Sequence, residues 1–401
     1  MKKIIAMILV ILMGISCLAA CSSDKDGDID SNQAASDSNA ISDSGADGEP
    51  QTKPAPKTVK ITSATEGVKI LGVRNLASET GLHMDWSCSG VEFAIDLKGD
   101  SVRLNFNVSA QCLFRVWVDG EEYTQDGNKY FEPINGIVML TEIPEGKHTV
   151  RVMKVTGYTL ARAELIGITF AGELLTDVVN TSDKELYIEF VGDSITCGWG
   201  TIGANGDAYT DQDGTLAYSY LLAKELNADY SMTALSGQGL LYGTPGVTNG
   251  YLYADPTGHA EEKYDFSRKA DIVVINVGTN DFTQEVGESN FKTAYLNFLK
   301  TVREKNGDRC KILCLYNAMN DTYANAILAA VEEFGGKDEG VAAYSLTRVS
   351  GHPTVSEHEA YAQALKGVIE TLPQKFVPDF TVVEKGDGDM DNIDLGNISK
   401  S

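Results

Sequence analysis

Four short stretches of this chain hold the residue types that acyl transfer needs. Gly192-Asp193-Ser194 follows an apolar run over residues 185–191, so Ser194 stands at the end of a buried strand, with its hydroxyl at the rim and its backbone N–H able to face a developing oxyanion. Ser236-Gly237-Gln238-Gly239 follows a second run and offers a backbone N–H at Gly237 that no side chain obstructs. Gly278-Thr279-Asn280-Asp281 follows a third run, with the Asn280 carboxamide as a further donor. Gly351-His352-Pro353 follows the fifth run, directly before a helix start. Each stretch alone is ordinary turn chemistry. Their shared position at strand ends supplies a nucleophile, a base and three oxyanion donors (the N–H groups of Ser194 and Gly237 and the amide of Asn280). His259 and His358 are rival bases, but neither sits just past a strand.

The elements that must position these groups alternate in type. Apolar runs at residues 186–191, 230–235, 271–277, 311–316 and 341–346 read as strands. Helical patterns cover 215–227, 289–305, 323–334 and 355–372, the last opening on a capping box, Thr354 to Glu357. Short strands separated by helices imply a doubly wound parallel sheet covered on both faces. The glycine-rich segment after Ser194 shows no helical pattern of its own. Residues 58–177 instead read as strands at 90–97, 101–108, 114–118 and 148–155, broken by turns at Lys98-Gly99-Asp100, Asp119-Gly120 and Glu145-Gly146. They suit a small antiparallel β-sandwich, in which His83 and His148 are ordinary strand residues.

Residues 1–21 pair Lys2 and Lys3 with an apolar stretch and end in Leu18-Ala19-Ala20-Cys21, which resembles a bacterial lipoprotein signal peptide. That resemblance implies lipidation of Cys21 and an extracytoplasmic body anchored by lipid to the cell membrane. Residues 22–57 form a flexible acidic linker and 377–401 an acidic tail, neither with enough apolar surface to offset its ordering entropy. The net charge of −24 argues against nucleic acid as a partner and is compatible with a neutral substrate. Beyond Cys17 and Cys21, the thiols of Cys88, Cys112, Cys197, Cys310 and Cys314 are expected to be free and buried, a Cys88–Cys112 bridge being the alternative. No metal or cofactor is called for, and no protein partner is inferred.

Taken together, the four blocks resemble those of the SGNH (GDSL-type) hydrolases. The string GDSITCGWG, the SGQG segment, the VWVDGEE hairpin and the GKHTVRVMKVT strand are similar, more narrowly, to carbohydrate esterase family 2. The resemblance spans most of residues 65–372. It implies a jelly-roll-like β-sandwich at 58–177, a flavodoxin-like hydrolase domain at 185–376, and removal of acetyl groups from plant polysaccharides or oligosaccharides, as in acetyl xylan esterases. It places Ser194 on the family's nucleophile, Gly237 and Asn280 on its oxyanion donors and His352 on its base. The aspartate that commonly lies three residues before the histidine is replaced by Val349, which leaves a Ser-His dyad with a backbone carbonyl orienting the imidazole. Asp281 and Asp321 are the other carboxylates considered, Asp281 as a turn residue bracing Asn280 and Asp321 as a helix N-cap. Gly157 also stands where an acidic residue is expected. Trp199 is the candidate sugar-stacking platform, with core packing as its other reading. A carbohydrate-binding protein without turnover, suggested by Tyr209, Tyr242, Tyr251 and Tyr253, and a lipid esterase are the alternatives to an esterase acting on acetylated carbohydrate.

Overall fold

The computed structural model describes residues 53–375 apart from 73, 75–78, 204–207, 244, 256 and 258–262. The signal segment with Cys21, most of the linker, His259 and the acidic tail lie outside the described residues.

Five parallel strands, Tyr187–Gly192, Asp229–Ala234, Ile272–Asn276, Lys311–Tyr316 and Val341–Ser345, form one sheet in the spatial order 2-1-3-4-5. This is the flavodoxin-like order, in which the chain reverses direction of growth beside the first strand and opens a crevice at that strand's C-terminal end. Both faces are apolar because both are covered. Val191, Val273 and Ile275 pack under the helices Glu288–Asn306 and Ala324–Phe334, while Ile188, Phe190 and Val274 pack with Leu222 and Leu365 of the helices Tyr218–Glu225 and Val355–Thr371. Each such side chain contributes about 1.5–3 kcal/mol on full burial.

The preceding residues form an antiparallel β-domain of nine strands around its own core, which includes Phe93, Phe106, Phe114 and Phe170. Its first strand, Lys57–Lys60, takes in the last residue of the expected linker. The two strands expected at 90–97 and 101–108 are one strand, Gly90–Val108. A hairpin at Lys98-Gly99-Asp100 would have turned the chain back on itself. The long strand runs on beside Ala163–Leu175 instead, and a register shift between Leu97 and Val102 absorbs the extra residues as a bulge. Asp119 and Gly120 do make the expected tight turn, with φ of 53° and 86°, between Phe114–Val118 and Glu121–Glu122. All five thiols are buried and unbridged, Cys88 and Cys112 included.

Polar contacts fasten the β-domain to the parallel sheet. Buried Arg74 pairs with Glu189 of the first parallel strand at 3.0 Å, and Arg115 pairs with buried Asp213 at 3.2 Å. The backbone N–H of Gly157 donates to Gln212 Oε1 at 2.8 Å. A Cβ at position 157 would stand 2.8 Å from that same oxygen, so the glycine in place of an acidic residue lets the two domains of the chain approach closely here.

Candidate active site

Parallel register brings the first three candidate stretches to one edge. Gly192 is opposite both Ala234 and Asn276, so Ser194, Gly237 and Asn280 follow neighbouring strand ends by two, three and four residues. Ser194 opens a short helix, Ser194–Cys197, where the sequence suggested only a turn. Its N-cap is Asp193, whose Oδ1 accepts from the Ile195 N–H at 3.0 Å. The cap leaves the Ser194 N–H without a helical acceptor, as any first-turn donor is. Among the described residues nothing accepts from the N–H of Ser194 or of Gly237. Gly237 has φ of 83°, and a Cβ there would meet nothing within 4 Å, so its backbone faces open space.

The histidine arrives from the far side of the sheet. Its segment is held where Leu346 N–H donates to Tyr316 O at 2.9 Å, Val349 N–H to Ala318 O at 2.9 Å, and Tyr361 Oη to Thr347 O at 2.5 Å. The capping box then fixes the helix start, with Thr354 N–H donating to Glu357 Oε2 at 2.7 Å. The result is a 2.9 Å hydrogen bond between His352 Nε2 and Ser194 Oγ, two residues 158 apart in the chain. A hydroxyl at that distance from an imidazole nitrogen has its general base in place.

Asn280 lies in the short helix Thr279–Thr283, and its Nδ2 donates to Gln238 O at 2.9 Å. One amide hydrogen ties it to the Gly237 segment and the second remains for an oxyanion. Asp281 is buried and does not brace Asn280. Its carboxylate accepts the N–H groups of Leu240, Leu241 and Tyr242 at 2.7, 2.9 and 3.2 Å. Asp321 is exposed and pairs with Arg348 at 3.4 Å; the helix it was expected to cap has Tyr323 at that position. Val349 packs against the core and brings no carboxylate.

His358, the rival base, is fully buried, accepts from the Tyr218 N–H on Nδ1 at 3.2 Å, and is held down to about 3 by burial and then by nearby His352. It stays neutral and cannot reach the serine proton through the nitrogen that is already accepting. Tyr251 is likewise a core residue, donating to Glu189 at 2.7 Å. Trp199 is half-buried against the apolar cluster that holds Ile195 and Tyr218. Among the described residues no group of three His, Cys, Asp or Glu side chains is placed to hold a metal ion.

A groove of about 710 Å³ opens beside Gly237. Gln238, Leu241 and Tyr242 form one wall, and Ser109, Tyr158 and Arg162 of the β-domain form the other. Tyr242 is 40% exposed; Trp199 is not among the walls, and neither are Ser194, Asn280 and His352, so the groove adjoins the site through Gly237. Nothing local in the sequence marked the β-domain residues, because their role exists only once the two domains meet.

Residues 190–395, about half of the chain, match the model of the GDSL-like lipase/acylhydrolase family. The chain belongs to that family. This GDSL-like hydrolase also matches the carbohydrate esterase 2 N-terminal model over residues 75–177. It is similar to a cellulase/esterase, CelE, of Acetivibrio thermocellus, at 29% identity over 62% of this chain and 31% of the relative, so the chain spans about a third of that protein. It is also similar to an acetylxylan esterase / glucomannan deacetylase of Cellvibrio japonicus, at 26% identity over 63% of this chain and 74% of the relative. Among solved structures, a family two carbohydrate esterase from Clostridium thermocellum in complex with cellohexaose aligns with a TM-score of 0.65 and 26% identity, over 76% of this chain and 98% of that one.

The cap itself carries a testable charge. Asp193 Oδ2 is buried with no hydrogen-bond partner among the described residues, and burial first, with Asp281 adding repulsion, pushes the carboxyl up to about 7. Its native value lies above the unfolded one, so the folded state binds more protons between about pH 4 and 7, and stability is lost as pH rises through that window. At about 1.4 kcal/mol per unit the loss amounts to a few kcal/mol. Asp193→Asn keeps the Ile195 bond and should flatten this dependence, raising Tm at pH 8 relative to wild type but little at pH 4. Parallel Tm profiles for the two proteins would show that Asp193 is ionised in the fold.

Proposed function

We propose that this protein is a carbohydrate O-acetyl esterase working through Ser194 and His352 with an acetyl-enzyme intermediate. The observation that carries the reading is the 2.9 Å Ser194–His352 hydrogen bond beside the uncommitted N–H of Gly237. His352 Nε2 takes the hydroxyl proton as Ser194 Oγ attacks the acetyl carbonyl. The oxyanion is held by the N–H groups of Ser194 and Gly237 and the Asn280 amide. Collapse breaks the acetyl C–O bond and expels the sugar oxygen, which takes the proton from His352 and leaves as the hydroxyl; a water activated by the same imidazole then releases acetate. An ordered nucleophile and base are equipment that a protein binding glycan without turnover does not need.

The groove favours a sugar over a lone acetyl ester, since it is far larger than an acetyl group and has an exposed tyrosine on one wall. The curated relatives named for esterase and acetylxylan esterase activity support the substrate class. The amino-terminal signal pattern supports a lipid anchor on Cys21 and an extracytoplasmic location.

The test compares acetylated xylan or glucomannan with nitrophenyl acetate. Both should be hydrolysed by wild type and neither by Ser194→Ala, and activity surviving in that variant would end the assignment. Tyr242→Ala should raise KM for the acetylated glycan several-fold with nitrophenyl acetate hydrolysis unchanged. Trp199→Ala, a packing loss, should lower Tm and affect both substrates alike. Membrane-fraction activity that stays membrane-bound in Cys21→Ala would remove the anchor.

A further inference from the structure

A second cleft, of about 830 Å³, lies at the opposite end of the parallel sheet. It is lined by Tyr187 and Asp229, the first residues of the first and second parallel strands, whereas Ser194 follows the last residue of the first. Six residues of strand, about 3.3 Å each, therefore separate the two sites along the sheet. The size is that of a small-molecule or oligosaccharide site.

Its charge is opposite to that of the molecule. In a chain of net charge −24, the walls carry Lys69, Arg151, Lys184, Lys224, Lys263 and Arg268 against three aspartates. Two of those aspartates are already engaged. Asp229 pairs with Lys69 at 3.2 Å and with Arg268 at 2.8 Å, and Asp183 pairs with Arg268 at 3.1 Å. Asp265 accepts from the Ser267 N–H. The Lys184 ammonium donates to a backbone oxygen, Ala228 O, at 3.5 Å and forms no ion pair among the described residues. Its ammonium is held below the usual lysine range by burial, and Lys69 and Arg151 oppose its charge further, while Asp229 offsets part of this. Arg151 is already paired with Glu92, so a bound anion would compensate chiefly Lys184, Lys224 and Lys263. Tyr220 and Tyr264, both half-buried, line the same cleft and offer the apolar surface that a sugar ring covers.

We propose that this cleft is a second glycan site, which holds the carboxylate-bearing sugars of a uronate-substituted polysaccharide at a distance from the catalytic serine. The choice of a sugar carboxylate over another anion rests on the esterase reading. The positive charge itself does not. The remainder of so acidic a protein repels a polyanion, so a local reversal of sign is what would let it retain an acidic chain.

The experiment is affinity electrophoresis in gels containing deacetylated glucuronoxylan, with uronate-free arabinoxylan and sulfated dextran as comparison polymers. Ser194→Ala is the carrier protein, so binding is read without turnover and remains interpretable even if the esterase assignment fails. Retardation by glucuronoxylan should fall at least tenfold in Lys184→Glu/Lys224→Glu, two exposed positions, and should weaken in 0.5 M salt, as roughly expected for exposed charges beyond a Debye length of a few ångströms. The same double substitution in the active enzyme should leave nitrophenyl acetate hydrolysis unchanged, which also reports that it folds. Retardation that survives the double reversal would overturn the site. Equal retardation by sulfated dextran would mean diffuse charge attraction only, and equal retardation by arabinoxylan would mean that the carboxylate is not what is read.

Discussion

His352→Ala should lower kcat on acetyl esters by on the order of 10⁴ to 10⁶ with the fold intact, because removing one member of a nucleophile–base pair disables both. The structure supplies the reason in the 2.9 Å contact between Nε2 and Ser194 Oγ. Ser194→Ala should cost about as much, and the double variant Ser194→Ala/His352→Ala should be no worse than either single one. Additive losses in the double variant would mean that the two side chains act separately. Val349→Asp completes the comparison. The backbone around His352 is already fastened at Leu346, Thr347 and Val349, so a carboxylate at 349 should change kcat by less than about tenfold, whereas a missing triad acid typically costs about 10⁴. A rise in kcat of several hundredfold would show that the imidazole is poorly held without one.

The convergence of the candidate site residues was legible because each follows a short apolar run, and runs of that length in alternation with helices have one common solution, a parallel sheet whose strand ends coincide. Strand ends were placed to within a residue or two, as with Asp229–Ala234 for 230–235. What could not be read is what depends on partners far apart in the chain. Glu189 interrupts an otherwise apolar strand, and its reason is Arg74, 115 positions earlier. Gly99 looked like a hairpin residue because glycine serves both turns and bulges, and only the neighbouring strand Ala163–Leu175 decides between them. Gly157 had no local meaning, since its close neighbour Gln212 is brought by the other domain. Trp199 sits near the nucleophile in sequence, yet the aromatics lining the groove are Tyr158 of the β-domain and Tyr242, the latter carried there by a loop whose path a remote aspartate sets.

That aspartate supports the second large effect. Asp281 satisfies three successive backbone donors, those of Leu240, Leu241 and Tyr242, from a buried position. The loop can come this close only because residue 239 is glycine, where a Cβ would stand 2.4 Å from Asp281 Oδ2. Asp281→Asn replaces one acceptor oxygen by an amide whose hydrogens face other hydrogens, and each buried donor left unpaired costs about 1–3 kcal/mol. The loop between the oxyanion glycine and Tyr242 should therefore move. Loss of one oxyanion donor is worth about 10² to 10³ in kcat, so kcat should fall by that order while KM for glycan also rises. The pH dependence separates this role from a direct one. If Asp281 acts through the loop, the acid limb of the kcat profile, which reports the base, should keep its midpoint while the plateau drops. If Asp281 instead supports the imidazole, the midpoint itself should move to lower pH in the variant, because a carboxylate beside a histidine raises its pKa. Asp321→Asn is the control. Its exposed pair with Arg348 is worth at most about 1 kcal/mol, and kcat should stay within a factor of two of wild type. A fall in kcat of several orders of magnitude in Asp321→Asn, or an unchanged kcat in Asp281→Asn, would reverse the roles assigned to the two aspartates.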